Sequence, residues 1–473
     1  ADTLTIGAST VATTLGAGDD VLTITAGTGV GGSVAGGAGT ADTIVMTEVL
    51  AGNAALSGDS IQAGRMSGFE ILSLTAVDQS KIVDMAKLDN MATVTATAAT
   101  ALVLANFVNG GTYISTGTTS SLTTIQVKDA LVAGHNSDTV NYSINNATSG
   151  GARDQGLSVL AGVETLNITS GRSGIAVVGD TNVLGLTIAN IRNIVVDGDV
   201  DLNLDVALDQ ASFQSIDASA NTDGIIVTAA GAAQGVTIIG TATGKNTMTG
   251  GDSNDSITGG SGIDIVIGGT GADIISTGAG VDTITFSQQT TVGDTITGGA
   301  GKDAFIQANT IAATNTATII TDFDFGTVST TEDDLELSNA FLDGLTGVTD
   351  VVDTGASSTA GGVVTRVTAD AQIVTDTDLI VITNATYAST TALLAGLDTA
   401  GASTVVYNTQ LANNDGILYM YSDGTNAFVA IVVAGGTNIN SDGADIAINI
   451  VQLNGIDLAG LANVDTGDYL TIA

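Results

Sequence analysis

Along residues 250–285 an apolar side chain returns every nine positions, at Ile257, Val266, Ile275 and Ile284. Read in nines from Gly250, the stretch is GGDSNDSIT, GGSGIDIVI, GGTGADIIS and TGAGVDTIT, with Asp255, Asp264, Asp273 and Asp282 in the sixth slot. Slots seven to nine read x-apolar-x, a very short strand whose central side chain points inward. Slots one to five need a turn that visits positive φ, which glycine adopts at least cost. Two units, eighteen residues, make one coil with a turn on each edge. Aspartates eighteen apart then stack, Asp255 over Asp273 and Asp264 over Asp282.

The register runs beyond this block. Residues 241–249 keep Gly244 in slot four but place Asn246 in slot six. After three extra residues, 286–288, Asp294 and Ile296 return, and GGAGKDAFI (298–306) is a full unit with Asp303 and Phe305. Asp294 and Asp303 are therefore expected to continue the two rows. Near the start, LGAGDDVLT (15–23) brings Asp20 and Leu22 into slots six and eight, and eighteen residues earlier lie Asp2 and Leu4. GGAGTADTIV, from Gly36, adds Asp42 and Ile44 with one inserted residue. Asp2, Asp20 and Asp42 are expected to form a row of their own. Since the chain opens part-way through a repeat, further protein is expected upstream of residue 1.

Between 46 and 240 the period loosens. GFEILSLTA (68–76) and GVETLNITS (162–170) read as one turn-then-strand unit, and LGLTIAN, IRNIVVDGD, VDLNLDVAL, GIIVTAA and GVTIIG as related short strands. That spacing suggests a β-solenoid or β-sandwich, with room for one short helix in 83–134. After 306, ILYMYSDGTNAFVAIVVAGG reads as a hairpin about Asp423-Gly424. The expected fold is all-β. It comprises N-terminal β-roll turns (1–45), a β-solenoid or sandwich (46–245), a parallel β-roll (246–306) and a β-rich C-terminal domain (307–473).

Charge narrows the partners. Among 473 residues there are 10 basic and 49 acidic, a net charge of −39. Nucleic acid and anionic lipid both need a positive surface and are excluded as partners. The acids are dispersed and 44% of residues are hydrophobic, which favours a folded chain over a disordered one. Cysteine is absent, so neither disulfides nor thiolate metal sites are available. No apolar run is long enough to span a membrane, and no N-terminal signal peptide is visible.

Catalytic constellations are scarce. His135 is the only histidine and no G-x-S-x-G elbow accompanies it; it reads as a polar loop residue. There is no H-E-x-x-H, which excludes the zinc protease that motif serves. GTGVGG (27–32) satisfies G-x-G-x-x-G without a following helix and reads as turn glycines. DGDVDLNLD places Asp197, Asp199, Asp201, Asn203 and Asp205 on one strand face, read as solvated, with an extra cation surface as the alternative. Sugar-handling sites favour aromatic platforms, and aromatics are only 3% here. The chain is not expected to be an enzyme.

Carboxylates stacked about 5 Å apart repel unless a cation lies between them. A hard dication held by carboxylate and carbonyl oxygens resolves this, and calcium tolerates six to eight such ligands. Zinc prefers nitrogen and sulfur. The simpler reading is that the aspartates only cap tight turns. The block resembles the G-G-x-G-x-D-x-U-x repeat of RTX proteins, which form calcium-filled parallel β-rolls. The resemblance implies several Ca2+ ions held by Asp255, Asp264, Asp273, Asp282, Asp294 and Asp303, and by Asp2, Asp20 and Asp42. The turn glycines Gly250, Gly259, Gly260, Gly262, Gly268, Gly269, Gly271, Gly278 and Gly280 complete those sites. Ser253 in slot four, Thr277 in slot one and the glycine-poor unit 289–297 depart from the pattern.

The order of segments is similar to that of Caulobacter-type RTX surface-layer proteins. It runs GAGDDVLTIT, GGSVAGGAGTADTIV, GFEILSLTA, GVETLNIT, the RTX block and a β-rich C-terminal region. That resemblance implies a secreted structural subunit on a bacterial cell surface. Its partner would be itself, in a calcium-dependent two-dimensional lattice. It also implies export by type I secretion through an uncleaved signal in NVDTGDYLTIA, and attachment to cell-surface polysaccharide through an upstream region. An RTX adhesin or biofilm protein is the alternative, followed by a polysaccharide-modifying enzyme.

Overall fold

A computed structural model describes residues 1–7, 11–26, 32–56, 65–77, 81–98, 101–116, 122–132, 137–146, 153–159, 162–172, 180–188, 191–205, 212–287, 292–308, 317–325, 332–337, 350–351, 364–367, 372–374, 379–397, 405–407, 415–434, 445–462, 464 and 470–472. His135, most of GTGVGG and most of the expected export signal lie outside the described residues. The chain divides into two compact units, Ala1–Gly231 and Ala232–Ala473.

In the first unit, short strands wind as a parallel β-solenoid. One wall stacks Thr3–Ile6, Val21–Ile24, Thr43–Met46, Ile71–Val77, Thr93–Ala98, Thr112–Ser115, Thr139–Asn146, Thr165–Arg172, Asn193–Gly198 and Ser215–Asn221, each parallel to the next. A second wall stacks Ile82–Asp84, Leu102–Phe107, Leu122–Val127, Arg153–Val159, Thr181–Ile188, Asp201–Asp205 and Ile225–Thr228. The walls face each other, since Tyr113 and Thr123 hydroxyls meet at 3.2 Å across the interior and Asn182 donates to Ser170 Oγ at 3.0 Å. Register puts like residues in line: Leu22 lies beside Ile44 and Ile44 beside Leu72, all fully buried. The motif change at residue 45 falls inside this stacking, because Thr43–Met46 pairs directly with Ile71–Val77.

One expectation is corrected by the fold. DGDVDLNLD is not one strand: Gly198 turns the chain, so Asp197 ends a strand of the first wall and Asp201 opens one of the second. Within 83–134 the helical element among the described residues is one short turn, Met85–Lys87, whereas the α-helix at Glu48–Leu56 falls outside that range. Its signal is present in the sequence. Thr47 accepts the Leu50 N–H through Oγ1 at 3.3 Å, and Glu48 supplies the favoured acid of the first turn.

The second unit begins with the nonapeptide coils. Ser256–Gly260, Ile274–Ala279, Thr295–Ala300 and Thr318–Ile320 form one wall, and Ile265–Ile267, Thr283–Phe286, Ala304–Gln307 and Asp334–Leu337 the other. Slot-eight side chains line the interior: Ile257 beside Ile275 beside Ile296, and Val266 beside Ile284 beside Phe305, none more than 1% exposed. Beyond them the sheet changes direction. Thr318–Ile320 pairs in parallel with Ile446–Leu453, which runs antiparallel to Ala427–Val433, itself the partner of Asp415–Ser422 in the Asp423-Gly424 hairpin. Tyr387, Tyr419, Tyr421, Leu393 and Leu397 pack there, with the helix Thr390–Leu397 covering the sheet. No helix among the described residues is long and apolar enough to cross a membrane.

Neighbouring isoleucines test the inward–outward alternation. Ile275 is 1% exposed and Ile274 is 61% exposed. Ile275→Ala is expected to cost roughly 2–5 kcal/mol in urea unfolding at saturating calcium, and Ile274→Ala less than about 0.5 kcal/mol. Equal losses would contradict the assigned wall orientation.

Candidate metal centre

The corners of the nonapeptide coils share one local problem. Where a strand starts, the parallel ladder leaves one backbone N–H without a carbonyl, and a buried orphan donor is costly. The residue just before the strand solves it. The aspartate carboxylate of one coil accepts the N–H of the matching residue in the coil before. Asp255 N–H donates to Asp273 Oδ1 at 2.9 Å, and Asp273 N–H to Asp294 Oδ1 at 2.9 Å. In the second row Asp264 N–H donates to Asp282 at 2.8 Å and Asp282 N–H to Asp303 at 2.9 Å. Each aspartate carbonyl meanwhile accepts from the residue after the next aspartate, as in Ile274 N–H to Asp255 O at 2.8 Å.

At the N-terminus Asp20 N–H donates to Asp42 Oδ1 at 2.8 Å, and Asp2 N–H donates to Asp20 Oδ1. Asp20 and Asp42 are fully buried, whereas the Asp2 side chain is exposed, so Asp2 contributes its backbone rather than a buried carboxylate. Asn246 heads the second row as a neutral substitute: its N–H and Nδ2 both donate to Asp264 Oδ1 at 2.9 Å.

Capping uses one oxygen of each carboxylate. The other points into the corner. Oδ2 of Asp20, Asp42, Asp273, Asp282 and Asp294 is buried with no hydrogen-bond partner. Asp255 and Asp264 direct theirs to the Gly251 and Gly260 N–H groups. None of the ion pairs among the described residues reaches Asp255, Asp264, Asp273, Asp282, Asp294 or Asp303. Burial accordingly raises the pKa of all six, with stacked neighbours adding repulsion in most. Asp273 and Asp303 rise to about 6, and Asp294 to about 7.

The glycines leave room for this. Gly250, Gly259 and Gly268 back onto their own aspartate, and a Cβ on Gly268 would lie 2.6 Å from Asp273 Oδ2. Gly260, Gly262, Gly269, Gly271, Gly278 and Gly280 face carbonyl oxygens of the preceding coil. Gly278 and Gly280 also hold φ of +104° and +155°, where a side chain would both strain the backbone and overlap the Gly260 and Gly262 carbonyls. Thr277, in a glycine slot, is buried and turns its hydroxyl to the Gly298 carbonyl at 2.8 Å.

Sequence reading missed several members of the same system. Asp333 extends the second row, accepting from Asp303 N–H at 3.0 Å and Asp324 N–H at 2.8 Å, and burial raises its pKa to about 7. Glu70 accepts from Asp42 N–H and Glu164 from Asp138 N–H, at 2.8 and 2.9 Å. The usable signal is an acid immediately before a strand, visible in GFEIL and GVETL.

The donors at these corners are carboxylates and main-chain carbonyls, and among the described residues no three acidic or histidine side chains converge on one point. That set fits a hard cation drawing ligands from paired aspartates and the backbone. Residues 242–262 and 249–284 match the family model of the RTX calcium-binding nonapeptide repeat (4 copies). Repeats of this kind bind calcium, and proteins that carry them are typically secreted and extracellular. No curated protein sequence matches the chain.

The raised pKa values set a pH dependence. An acid whose folded pKa lies above its unfolded value stabilises the fold at low pH and loses that contribution as pH climbs through the folded pKa. In EGTA the melting temperature should therefore fall as pH rises from about 4 to about 7, between the ordinary carboxylate value of 3.8 and the raised values of about 6 to 7, and level off above. Calcium needs the ionised form, so its affinity should drop below about pH 6, with protons released on binding. Calorimetry in two buffers of different ionisation enthalpy would measure that release, and pH-independent binding would contradict the buried-carboxylate account.

Proposed function

We propose that the chain is a secreted, calcium-dependent structural protein that tiles a bacterial cell surface as a two-dimensional lattice. The observation that carries this reading is the two rows of buried aspartates with unpartnered oxygens. They leave the rolls dependent on a cation for neutrality. Ca2+ would be held by Asp255, Asp264, Asp273, Asp282, Asp294 and Asp303 with the carbonyls of the stacked glycine turns, and by Asp20 and Asp42 near the N-terminus. Segment order and a composition rich in threonine, alanine and glycine support the surface-layer assignment over other RTX roles. In this reading the chain partners itself, leaves through type I secretion, reaches cell-surface polysaccharide through an upstream region and catalyses nothing.

Calcium would act as the switch between export and assembly. Extracellular sites bind with Kd of about 10⁻⁴ to 10⁻³ M, so they stay largely empty in cytoplasm and fill outside. At ten times Kd each site adds roughly 1.4 kcal/mol. Several such sites together approach the roughly 5–15 kcal/mol that stabilises an ordinary domain. Without calcium, −39 of charge opposes both compaction and subunit contact.

Electron microscopy of the full chain with calcium is expected to show ordered sheets that dissolve in EGTA. Calcium-dependent folding without sheets would favour the adhesin reading, and turnover of a polysaccharide the enzymatic one. Asp264→Ala or Asp273→Ala should weaken calcium binding about tenfold or more, while Asp197→Ala, on an exposed strand end, should leave it unchanged in calorimetric titration.

A further inference from the structure

Outside the nonapeptides, one corner of the first unit carries the same signature. Asp138 precedes strand Thr139–Asn146 and Glu164 precedes strand Thr165–Arg172, with Thr139 beside Thr165 in the ladder. Asp138 N–H donates to Glu164 Oε2 at 2.9 Å, and the Asp138 carbonyl accepts from Glu164 and Thr165 N–H. This is the double link that joins the nonapeptide aspartates. Asp138 Oδ1 accepts from Asn109 Nδ2 at 2.6 Å, and Asn109 Oδ1 accepts the Thr139 N–H at 2.8 Å. Asp138 Oδ2 is buried and has no hydrogen-bond partner.

The two carboxylates are 2% and 9% exposed, and none of the ion pairs among the described residues reaches either. Burying two acids one coil apart without a counter-charge is unfavourable, and a bound cation relieves that cost. The corner is closed as the nonapeptide turns are: a Cβ on Gly162, two residues before Glu164, would lie 2.5 Å from the Ala130 carbonyl oxygen. The Ala130 carbonyl thus closes on the turn that leads into Glu164.

We infer that Asp138 and Glu164 hold a calcium ion at a corner that no nonapeptide marks. The donors are oxygens alone, which suits a hard dication and disfavours zinc. The ion clamps two coils in the middle of the first unit, far along the chain from the nonapeptide rolls, and so extends calcium dependence to a segment with loose sequence period. The identity of the cation rests on the calcium reading of the rolls; the existence of the site does not.

Calcium bound per chain, measured by equilibrium dialysis on the full protein, tests this. Asp138→Asn and Glu164→Gln should each bind one calcium fewer than the unaltered chain, and Asp197→Asn the same number. Circular dichroism verifies that each variant folds in calcium; should Asp138→Asn fail to fold, Glu164→Gln decides. An unchanged count in the folded variants would overturn the inference. Asp273→Asn in the same assay separates the two claims. If only Asp273→Asn loses calcium, the roll reading stands and this site falls; if only Asp138→Asn does, the reverse holds.

Discussion

One hydrogen bond recurs through this molecule: a backbone N–H at the start of a strand, donated to the buried carboxylate one coil ahead. In the nonapeptide coils no carbonyl of the neighbouring coil closes that position, as one does at Glu70, Glu164, Arg192 and Gln214. A short acid just before the strand supplies the missing acceptor. Successive coils thereby become mutually dependent, each amide satisfied by the next coil's side chain and each side chain buried by its neighbours.

The same device creates the electrostatic problem that the protein must resolve. Carboxylates fixed in register, as Asp255, Asp273 and Asp294 are, place negative charges in line inside a low-dielectric corner, where they repel and resist ionisation. Capping satisfies one oxygen and, in Asp273, Asp282 and Asp294, strands the other. Asn246 shows the neutral way out at the head of one row, since its amide donates to Asp264 where a further acid would only repel. Elsewhere the rows stay acidic, and a cation is the remaining source of neutrality. Structural integrity and ion binding are thus consequences of a single side chain, with no disulfide available to share the load.

At the far end of the nonapeptide coils the architecture changes from winding to meander. The antiparallel strands Asp415–Ser422, Ala427–Val433 and Ile446–Leu453 are apolar on most positions, and Tyr419, Tyr421 and Val432 are fully buried. This core relies on ordinary aromatic and aliphatic packing rather than on acid rows. The coils therefore add a sensitivity to calcium and pH to the cavity cost that both parts of the unit share.

Much of this architecture is legible in the amino-acid sequence. In 250–306 the period is nearly constant, so spacing alone identifies inward side chains, stacked aspartates and turn glycines. Asp-Gly at 423–424 likewise marks its hairpin, because local turn chemistry suffices. Elsewhere the loops between coils vary, and acids that stack lie 22, 26, 28 or 30 residues apart. Asp138, Glu164, Glu70 and Asp333 are therefore invisible as members of a row, and DGDVDLNLD passes for one strand although Gly198 breaks it. The sequence determined the local unit, since turn and strand preferences act over a few residues. Only the tertiary structure decided which units stack, which oxygens remain unpartnered, and that Thr318–Ile320 meets Ile446–Leu453, because those outcomes depend on backbone groups brought together across loops of unequal length.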